Sequence, residues 1–330
     1  MGKNHEIFLE GFKRIYFYCC DPGAFYAAEP MYDDMTRQGK ETVWIFDGWC
    51  REKKGKNLPF IDSKTFRSKA EKNKRDCVII CAQVNFKLNF QMIDFCKNQK
   101  LHTVFLFDYW GNYLNCFQDR DDLRLHLTDT IFIMDEIAKA DLIKELSLFV
   151  DDNSFFENII ITEHRGIEKT VSLIRNMSEK IVQDFRGKLN PLNKKLVLLA
   201  LEPLDEDLGC LKDGRPFLGF NEFSTVEYFF NDMNYRDARI LIKPHPRHRN
   251  GIINSFISKH SQIHEFDYTI VENVDLSLLL SAIDEVVGMT SSVLVIALKC
   301  GKKIKSIQLK RNKNAVKLSN PYLTPYIIEK

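Results

Sequence analysis

The sequence predicts an α/β protein of two Rossmann-like, doubly wound domains that face each other across a cleft. Short apolar runs alternate with helix-length segments along the chain, and this alternation is typical of a parallel sheet built from βαβ units. The alternation restarts at Lys195, just after residues 187–191, which combine helix breakers with charge. We therefore predict an N-terminal domain at residues 1–187 and a C-terminal domain at residues 188–330.

In the N-terminal half, the apolar runs predict strands, and the spacing of apolar residues between them predicts helices. Gly39 is well placed to end the first helix, because glycine readily adopts the left-handed conformation that follows helix ends. The predicted strands span residues 14–19, 42–46, 77–81, 103–107, 130–134 and 158–162, and the predicted helices span 24–37, 85–98, 137–148 and 168–185.

In the C-terminal half, the same patterns predict a second set of elements. The predicted strands span residues 195–201, 239–242, 268–271, 285–287 and 304–308, and the predicted helices span 224–234, 276–282 and 293–298. In an open α/β sheet, ligands bind beyond the carboxyl ends of the strands. The residues that directly follow each strand are therefore the first candidates for function.

Composition and charge limit the classes of function. The 330 residues carry a formal net charge of +2, which gives no reason to expect nucleic-acid binding. The nine cysteines include no Cys-x-x-Cys pair, so neither a disulfide framework nor a zinc site is expected. The polar residues 1–14 lack the apolar core of a signal peptide, and no apolar run approaches the roughly 20 residues that span a bilayer. We expect a cytoplasmic protein.

Lys243-Pro244-His245-Pro246-Arg247 follows a predicted strand directly. The two prolines force an extended backbone on the residues before them and hold His245 outside a helix. Histidine can donate to phosphate or act as a general acid near neutral pH, and Lys243 and Arg247 add positive charge. The segment indicates a phosphate-binding site. A solvated proline turn is the alternative interpretation.

Gly288-Met289-Thr290-Ser291-Ser292 also lies between a predicted strand and a predicted helix. A hydroxyl residue at that position is common for structural reasons, because it satisfies free N–H groups of the helix. Three hydroxyl residues in a row exceed what capping needs, and a helix N-terminus presents N–H groups to an anion. With the histidine segment on a neighbouring strand, Thr290, Ser291 and Ser292 are predicted to bind the phosphate of a nucleotide.

Asp21 follows the first predicted strand, within Cys20-Asp21-Pro22-Gly23. A carboxylate there would face the cleft and could take a proton from an attacking hydroxyl group. An aspartate-proline-glycine turn is a strong structural signal in its own right, so both interpretations of Asp21 stay open.

Further candidates follow two other strands of the N-terminal half. The segment 108–113 joins an acid and an amide to aromatic residues, which as exposed side chains would suit sugar recognition; an aromatic edge of the core is the alternative. Residues 163–165 follow the last strand of this half and could line the cleft. The candidate acceptor or sugar contacts are Asp108, Trp110, Asn112, Glu163 and His164.

A strand followed by Lys-Pro-His-Pro, and a later strand followed by Ser-Ser and a helix ending in Gly-Lys-Lys, resembles the C-terminal domain of bacterial GT-B-type glycosyltransferases. The pattern is similar to that of CMP-sialic acid transferases and polysialyltransferases, in which a His-Pro and a Ser-Ser motif hold the nucleotide. CDP-glycerol-type capsule and teichoic-acid polymerases look similar through the same region. Detailed motif matching covers about a third of the chain.

The resemblance implies a GT-B-like fold in which His245 contacts the donor phosphate and protonates the departing CMP, while Ser291 and Ser292 bind that phosphate. It also implies that no metal is bound and no cofactor is needed, because the nucleotide sugar is itself a substrate. The sialyltransferases carry an acidic Asp/Glu-Asp/Glu-Gly motif that supplies the base, and this sequence has no clean copy. Asp21 takes that role in our prediction.

The implied activity is transfer of a sugar from a nucleotide donor, with a CMP-activated nonulosonic acid or Kdo preferred, to a bacterial surface glycan. The expected partners are that donor and a glycan or lipid-linked glycan acceptor, with peripheral association at the inner face of the plasma membrane as one option. Three alternatives stay open: a CDP-glycerol-type glycerophosphotransferase, a UDP-sugar 2-epimerase-like enzyme, and a non-catalytic nucleotide-sugar-binding protein.

Overall fold

The computed structural model describes residues 4–70, 75–81, 85–119, 121–209, 211, 214, 216–309 and 320–329. The chain divides into two compact units, Met1–Glu168 and Lys169–Lys330. Each unit is built around a six-stranded parallel sheet whose strands alternate with helices along the chain. The predicted α/β architecture of two Rossmann-like units is therefore confirmed.

The sheet of the first unit contains strands β1 (Arg14–Cys19), β2 (Glu41–Phe46), β3 (Asp76–Cys81), β4 (His102–Leu106), β5 (Thr130–Ile133) and β6 (Ile159–Ile161). Its strand order is β2-β1-β3-β4-β5-β6. The helices along this part of the chain are α1 (Asn4–Leu9), α2 (Pro22–Arg37), α3 (Gly48–Lys53), α4 (Ser63–Lys69), α5 (Phe86–Asn98), α6 (Glu136–Leu146), α7 (Ser154–Glu157) and α8 (Arg165–Arg175).

The sheet of the second unit contains strands β7 (Lys195–Ala200), β8 (Ala238–Lys243), β9 (Asp267–Ile270), β10 (Glu285–Gly288), β11 (Lys303–Gln308) and β12 (Ile327–Glu329). Its strand order is β12-β11-β10-β7-β8-β9. The helices are α9 (Glu179–Leu189), α10 (Leu204–Leu208), α11 (Glu222–Asp232), α12 (Ile252–Ile257), α13 (Leu276–Ala282) and α14 (Ser292–Lys299).

The strands form where the sequence is apolar without alternation. Every residue of β1 after Arg14 is buried, and every residue of β7 after Lys195 is buried. A parallel strand covered by helices on both faces of its sheet requires such a continuous apolar run. This requirement explains why most strands could be located from the sequence; β12, a three-residue strand at the edge of the second sheet, was missed.

Side-chain caps fix where several helices begin. The carboxylates of Asp21, Asp135 and Asp275 accept hydrogen bonds from the backbone N–H groups of Ala24, Ala138 and Leu278, at 2.9, 2.8 and 2.9 Å. Such a cap typically contributes about 1 kcal/mol, because it satisfies an N–H group that has no partner inside the helix. Asp21 and Asp135 each lie two residues beyond the end of a strand. Each cap therefore fixes how many residues separate that strand from the next helix.

The segment that joins the two units differs from the prediction. The single helix predicted at 168–185 is two helices, α8 and α9, because the Ser178 hydroxyl accepts from the Ile181 N–H and starts a new helix. The division between the units falls after Glu168 rather than after residue 187. The guanidinium of Arg186 in α9 binds the carboxylate of Asp284, with Nη2 2.7 Å from Oδ2, and this ion pair ties α9 to the second unit.

Each sheet contains one point at which its strand order reverses. In the first sheet, β2 and β3 lie on opposite sides of β1, so the reversal falls between β1 and β3. In the second sheet, β8 and β10 lie on opposite sides of β7, so the reversal falls between β7 and β10. The crevice at the carboxyl ends of such strands is where doubly wound sheets bind ligands.

Candidate functional site

The His-Pro and Ser-Ser segments both follow strands of the second sheet, at its carboxyl edge. The two strands are not neighbours, because β7 lies between β8 and β10, so the prediction of neighbouring strands is wrong. Adjacent strands lie about 4.8 Å apart, which separates β8 from β10 by about 10 Å. A group of phosphate size can therefore lie between the two segments, above the end of β7.

Gly288 brings the Ser-Ser segment close to the end of β7. A Cβ atom at this residue would lie only 2.8 Å from the carbonyl oxygen of Ala200, which is nearer than unbonded carbon and oxygen atoms approach. The next residue, Met289, is fully buried. Because residue 288 has no side chain, the turn before α14 can lie directly against the end of β7.

Ser291 and Ser292 begin α14. Ser291 is the N-cap residue, and its hydroxyl oxygen accepts from the Val293 N–H at 3.2 Å. Its hydroxyl hydrogen is still available for donation, because that hydrogen bond uses only the oxygen. Ser292 is half-buried in the first turn of the helix. Both serines are thus placed at the helix end that attracts anions.

Thr290 is bound to an acid of the same unit. Its backbone N–H donates to Oε2 of Glu202 at 2.6 Å, and its hydroxyl donates to Oε1 of the same carboxylate at 3.0 Å. Its side chain is almost fully buried. The prediction gave Thr290 the same phosphate-binding role as Ser291 and Ser292, whereas in the structure its two donors are directed at a carboxylate.

Glu202 is a residue of this edge that the sequence analysis missed. It lies two residues beyond β7, at the reversal of strand order. Burial raises the pKa of its carboxyl group, while hydrogen bonds from Thr290 and from the Ser291 N–H act in the opposite direction. Glu202 could have been found from its position directly after the predicted strand at 195–201. The same criterion selected Asp21.

His245 is held in a compact turn by the backbone. Its Nδ1 atom accepts from the Arg247 N–H at 3.2 Å, and its own N–H donates to Nδ1 of His248 at 2.8 Å. Burial, together with the nearby charges of Arg247 and Lys243, lowers the pKa of His245 to about 3. The ring is therefore neutral near pH 7, with its proton on Nε2, and Nε2–H is the group that can donate to a phosphate.

Lys243 supplies an ammonium group at the end of β8. It is half-buried, and burial lowers its pKa, while the charge of Glu272 acts in the opposite direction. Among the residues that the structure describes, no side chain forms a hydrogen bond or ion pair with this ammonium. A partly desolvated cation at a strand end is a group that an anionic ligand would stabilise.

Arg247, the other predicted cation, is bound within the protein. Its guanidinium contacts the carboxylate of Asp207 in α10 through both terminal nitrogens, with Nη2 2.7 Å from Oδ2. Such a two-point pair offsets much of the positive charge. The prediction that Arg247 binds phosphate overlooked this partner.

In the first unit, Asp21 and Asp108 lie close to Gly23. Oδ1 of Asp21 caps α2 by accepting from Ala24, which confirms the turn interpretation; the catalytic interpretation stays a prediction. A Cβ atom on Gly23 would lie 2.7 Å from Oδ2 of Asp108 and 3.6 Å from Oδ1 of Asp21. Glycine therefore lets two carboxylates from the ends of β1 and β4 approach one turn.

Trp110 and His164 are structural in this fold, against the prediction that they contact a sugar. Trp110 is 2% exposed, and its indole N–H donates to Oδ2 of Asp135 at 2.7 Å. His164 is also buried; its Nε2 donates to the Asp108 carbonyl at 3.0 Å, and its Nδ1 accepts from the Ile167 N–H at 3.2 Å. The two rings stack with centroids 6.2 Å apart. The alternative interpretation, an aromatic edge of the core, is correct here.

Asn112 and Glu163 remain exposed candidates. Both adopt the left-handed backbone conformation, with φ of 57° at each, which is uncommon outside glycine. Asn112 lies beyond β4 and Glu163 lies two residues beyond β6. Their exposure leaves both side chains accessible to a ligand, and their roles stay predictions.

Acidic residues follow most strands of the first sheet. An aspartate or glutamate lies one or two residues beyond each of β1, β2, β4, β5 and β6, whereas the residues after β3 lie outside the described ranges. These acids are Asp21, Asp47, Asp108, Asp135 and Glu163. The carboxyl edge of this sheet is therefore negatively charged.

Two further features concern only the residues that the structure describes. Within them, no group of three or more histidine, cysteine or acidic side chains is arranged to hold a metal ion. None of the described helices combines the length and the apolar character that a membrane span requires.

A sequence model of the alpha-2,8-polysialyltransferase family matches residues 221–310. Over these residues the chain resembles the polysialyltransferases. The match begins at the N-cap residue of α11 and includes both the His-Pro segment and the Ser-Ser segment, whereas Glu202 lies outside it. Comparison with curated proteins gives no match.

Solved structures show the same fold at low sequence identity. UDP-GlcNAc 2-epimerase from Neisseria meningitidis superposes with a TM-score of 0.57 at 13% identity, over 89% of this chain and 82% of the epimerase. A glycosyltransferase from Rickettsia africae gives 0.55 at 10% identity, over 91% and 80%. The wall teichoic acid polymerase TagF gives 0.51 at 14% identity, over 90% and 71%. The predicted resemblance to the polysialyltransferases and to the GT-B fold is confirmed.

Proposed function

We propose that this chain is a glycosyltransferase that binds a nucleotide-activated sugar at the carboxyl edge of its second sheet. One observation carries the proposal: the polysialyltransferase match contains both segments that flank the reversal of strand order, one ending in Lys243 and His245 and the other in Ser291 and Ser292. These residues offer one ammonium group, one imidazole N–H donor and two hydroxyl groups to a phosphate.

The preferred donor is a CMP-activated sugar, namely a nonulosonic acid or Kdo, and the preferred acceptor is a bacterial surface glycan. When the bond between the sugar and the phosphate breaks, negative charge grows on the phosphate. The ammonium of Lys243 and the helix N-terminus at Ser291 would stabilise that charge. The arriving charge would also raise the pKa of His245, so that its imidazolium form could protonate the departing phosphate.

The acceptor hydroxyl needs a base, and we assign that role to Asp21. Its Oδ1 atom is engaged in capping α2, and an ionised carboxylate has further acceptor positions on both oxygens. Asp108 also lies beside Gly23 and is the next candidate.

A binding measurement with two variants of His245 tests the donor site. Replacing a donor to a charged group typically costs about 1.5–3 kcal/mol, so His245→Ala should weaken CMP binding in calorimetry by about tenfold or more. His245→Asn can still accept the Arg247 N–H and keep the turn, yet its amide is too short to replace Nε2. Equal losses in both variants support a phosphate contact. Unchanged affinity in both would show that the segment is only a turn.

The alternative activities use different donors. A CDP-glycerol-type glycerophosphotransferase and a UDP-sugar 2-epimerase-like enzyme both require a nucleoside diphosphate, and a non-catalytic protein would bind donor without turnover. Thermal-shift measurements with CMP-, CDP- and UDP-linked donors, followed by analysis of the products, separate these activities from the proposed one.

A further inference from the structure

The turn before α14 already holds an acidic group that belongs to the chain. The carboxylate of Glu202 accepts from the Thr290 N–H at 2.6 Å and from the Thr290 hydroxyl at 3.0 Å. These donors lie directly before the N-cap residue of α14, at the helix end at which an external anion would bind, so Glu202 occupies part of that position.

Positive charge at the same edge is limited. The guanidinium of Arg247 is paired with Asp207, and Nε of Arg249 lies 3.4 Å from Oε1 of Glu206. Lys243 provides an ammonium group, and Glu272 interacts with it. One partly buried ammonium can balance the charge of one phosphate group but not of two.

A second acid, Asp207 of α10, acts on Glu202. Burial raises the pKa of Glu202 and the charge of Asp207 acts in the same direction, whereas the hydrogen bonds from Thr290 favour the ionised form. The guanidinium of Arg247 offsets much of the charge of Asp207. Because like charges at a partly desolvated site repel each other more strongly than they do in water, a phosphate group that approached the turn before α14 would meet repulsion from an ionised Glu202.

We propose that Glu202 is a specificity-determining residue that selects donors with a single phosphate group. One phosphate fits between Lys243 and the hydroxyl groups of Ser291 and Ser292. The second phosphate of a nucleoside diphosphate would have to displace the Glu202 carboxylate from Thr290 or lie beside it. This inference rests on the proposed donor site and adds a residue outside the region that matches the polysialyltransferases.

The test compares nucleotides that differ by one phosphate group. Dissociation constants for CMP and CDP, and for UMP and UDP, are measured by calorimetry with the unmodified protein and with Glu202→Gln. Glutamine has nearly the same shape and can still accept the Thr290 N–H, but it has no charge. The matched control is Glu265→Gln, which removes the same charge from an exposed position just before β9, at the amino edge of the sheet. The unfolding midpoint of each variant verifies that it is folded.

We expect the unmodified protein to bind the monophosphate at least about tenfold more tightly than the diphosphate, because like charges placed together cost several kcal/mol. Glu202→Gln should strengthen diphosphate binding by about tenfold and change monophosphate binding by less than about threefold. Glu265→Gln should leave the ratio of the two constants unchanged.

Four outcomes overturn this inference. An unmodified protein that prefers the diphosphate contradicts it directly. A ratio that Glu202→Gln does not change, with normal monophosphate binding, overturns the inference and leaves the proposed function standing. A Glu202→Gln variant that is folded but loses monophosphate binding would show that Glu202 only positions the turn. A protein that binds no nucleotide at all overturns the proposed function together with the inference.

Discussion

Arg247 and Asp207 form a two-point ion pair, with Nη2 of the arginine 2.7 Å from Oδ2 of the aspartate. The pair links the His-Pro segment to α10. Because a carboxylate already faces the guanidinium, Arg247 contributes less attraction for an anion than its formal charge suggests. Lys243 has no such partner among the described side chains, so the two cations of one segment have different roles.

Lys243 should therefore contribute more to nucleotide binding than Arg247. We expect Lys243→Ala to weaken CMP binding by about tenfold or more, since a hydrogen bond to a charged group contributes about 1.5–3 kcal/mol. The paired variant Asp207→Asn/Arg247→Gln removes the ion pair without changing net charge and should alter the dissociation constant by less than about threefold. Calorimetry on both variants measures the difference. Equal losses would mean that Arg247 leaves Asp207 to bind the phosphate.

Asp21 can be tested by separating its cap from its proposed chemistry. Asparagine caps helices about as well as aspartate, so Asp21→Asn should keep the unfolding free energy within about 0.5 kcal/mol, whereas Asp21→Ala should lower it by about 0.5–2 kcal/mol. General base catalysis typically contributes 10²–10⁴-fold, and Asp21→Asn should reduce turnover by about that factor. Donor affinity should survive, because Asp21 belongs to the first unit. Full activity in Asp21→Asn would leave Asp108 or Glu163 as the base.

Gly288 should tolerate no side chain. A Cβ atom there would lie 2.8 Å from the Ala200 carbonyl oxygen, and relief of such a contact must move backbone, at a cost of about 1–3 kcal/mol. Gly187 in α9 is a matched control, because a Cβ atom there meets nothing within 4 Å. Gly187→Ala should stabilise the protein by about 0.5–1 kcal/mol through its helix propensity. Denaturant unfolding of both variants gives the comparison, and equal effects would contradict the close approach of the turn to β7.

His5 should make the protein sensitive to mild acid. Its side chain is fully buried in α1, and within the described structure neither ring nitrogen has a hydrogen-bond partner. Burial and the nearby charge of Arg165 lower its pKa to about 4. Between its ordinary value near 6.5 and about 4, the unfolded chain binds a proton that the folded chain does not. Stability is therefore lost as the pH falls through this window, by about 3 kcal/mol in total.

His5→Leu should remove that loss. The variant should be more stable than the parent at pH 5 and less sensitive to pH between about 6.5 and 4. His264→Leu, at an exposed position, serves as the control and should keep the acid sensitivity of the parent. Chemical unfolding at several pH values measures the slopes. An unchanged slope in His5→Leu would place the acid sensitivity elsewhere.

All strands of the two sheets except β12, which was missed, could be predicted because their information is local. The bounds predicted for β1 and for α13 agree with those observed, since a continuous apolar run or a capped apolar segment stands out from its neighbours. Short helices such as α3, α4 and α10 were missed. They consist of polar or mixed residues, and the fold around them determines their conformation.

The site was predictable in position but not in its internal contacts. The residues that follow strands were found because parallel strands end at one edge. The partners of these residues come from distant parts of the chain: Thr290 binds a carboxylate 88 residues earlier, and Arg247 binds one 40 residues earlier. For Trp110 the sequence left exposure and burial open, and the structure buries it against Asp135, 25 residues away. The pattern of neighbouring residues in the sequence does not indicate which distant residues form such pairs.

The acidic residues that follow the strands of the first sheet influence which ions can bind at its carboxyl edge. A phosphate brought to that edge would lose hydration while it approached several carboxylates, so the edge disfavours anions at low ionic strength. The edge of the second sheet also has acids after two of its strands, Glu202 and Glu272, but it adds an ammonium, an imidazole and hydroxyl groups. We therefore expect charge to distinguish the two edges for an anionic ligand such as a nucleotide, although the two units have closely related architectures.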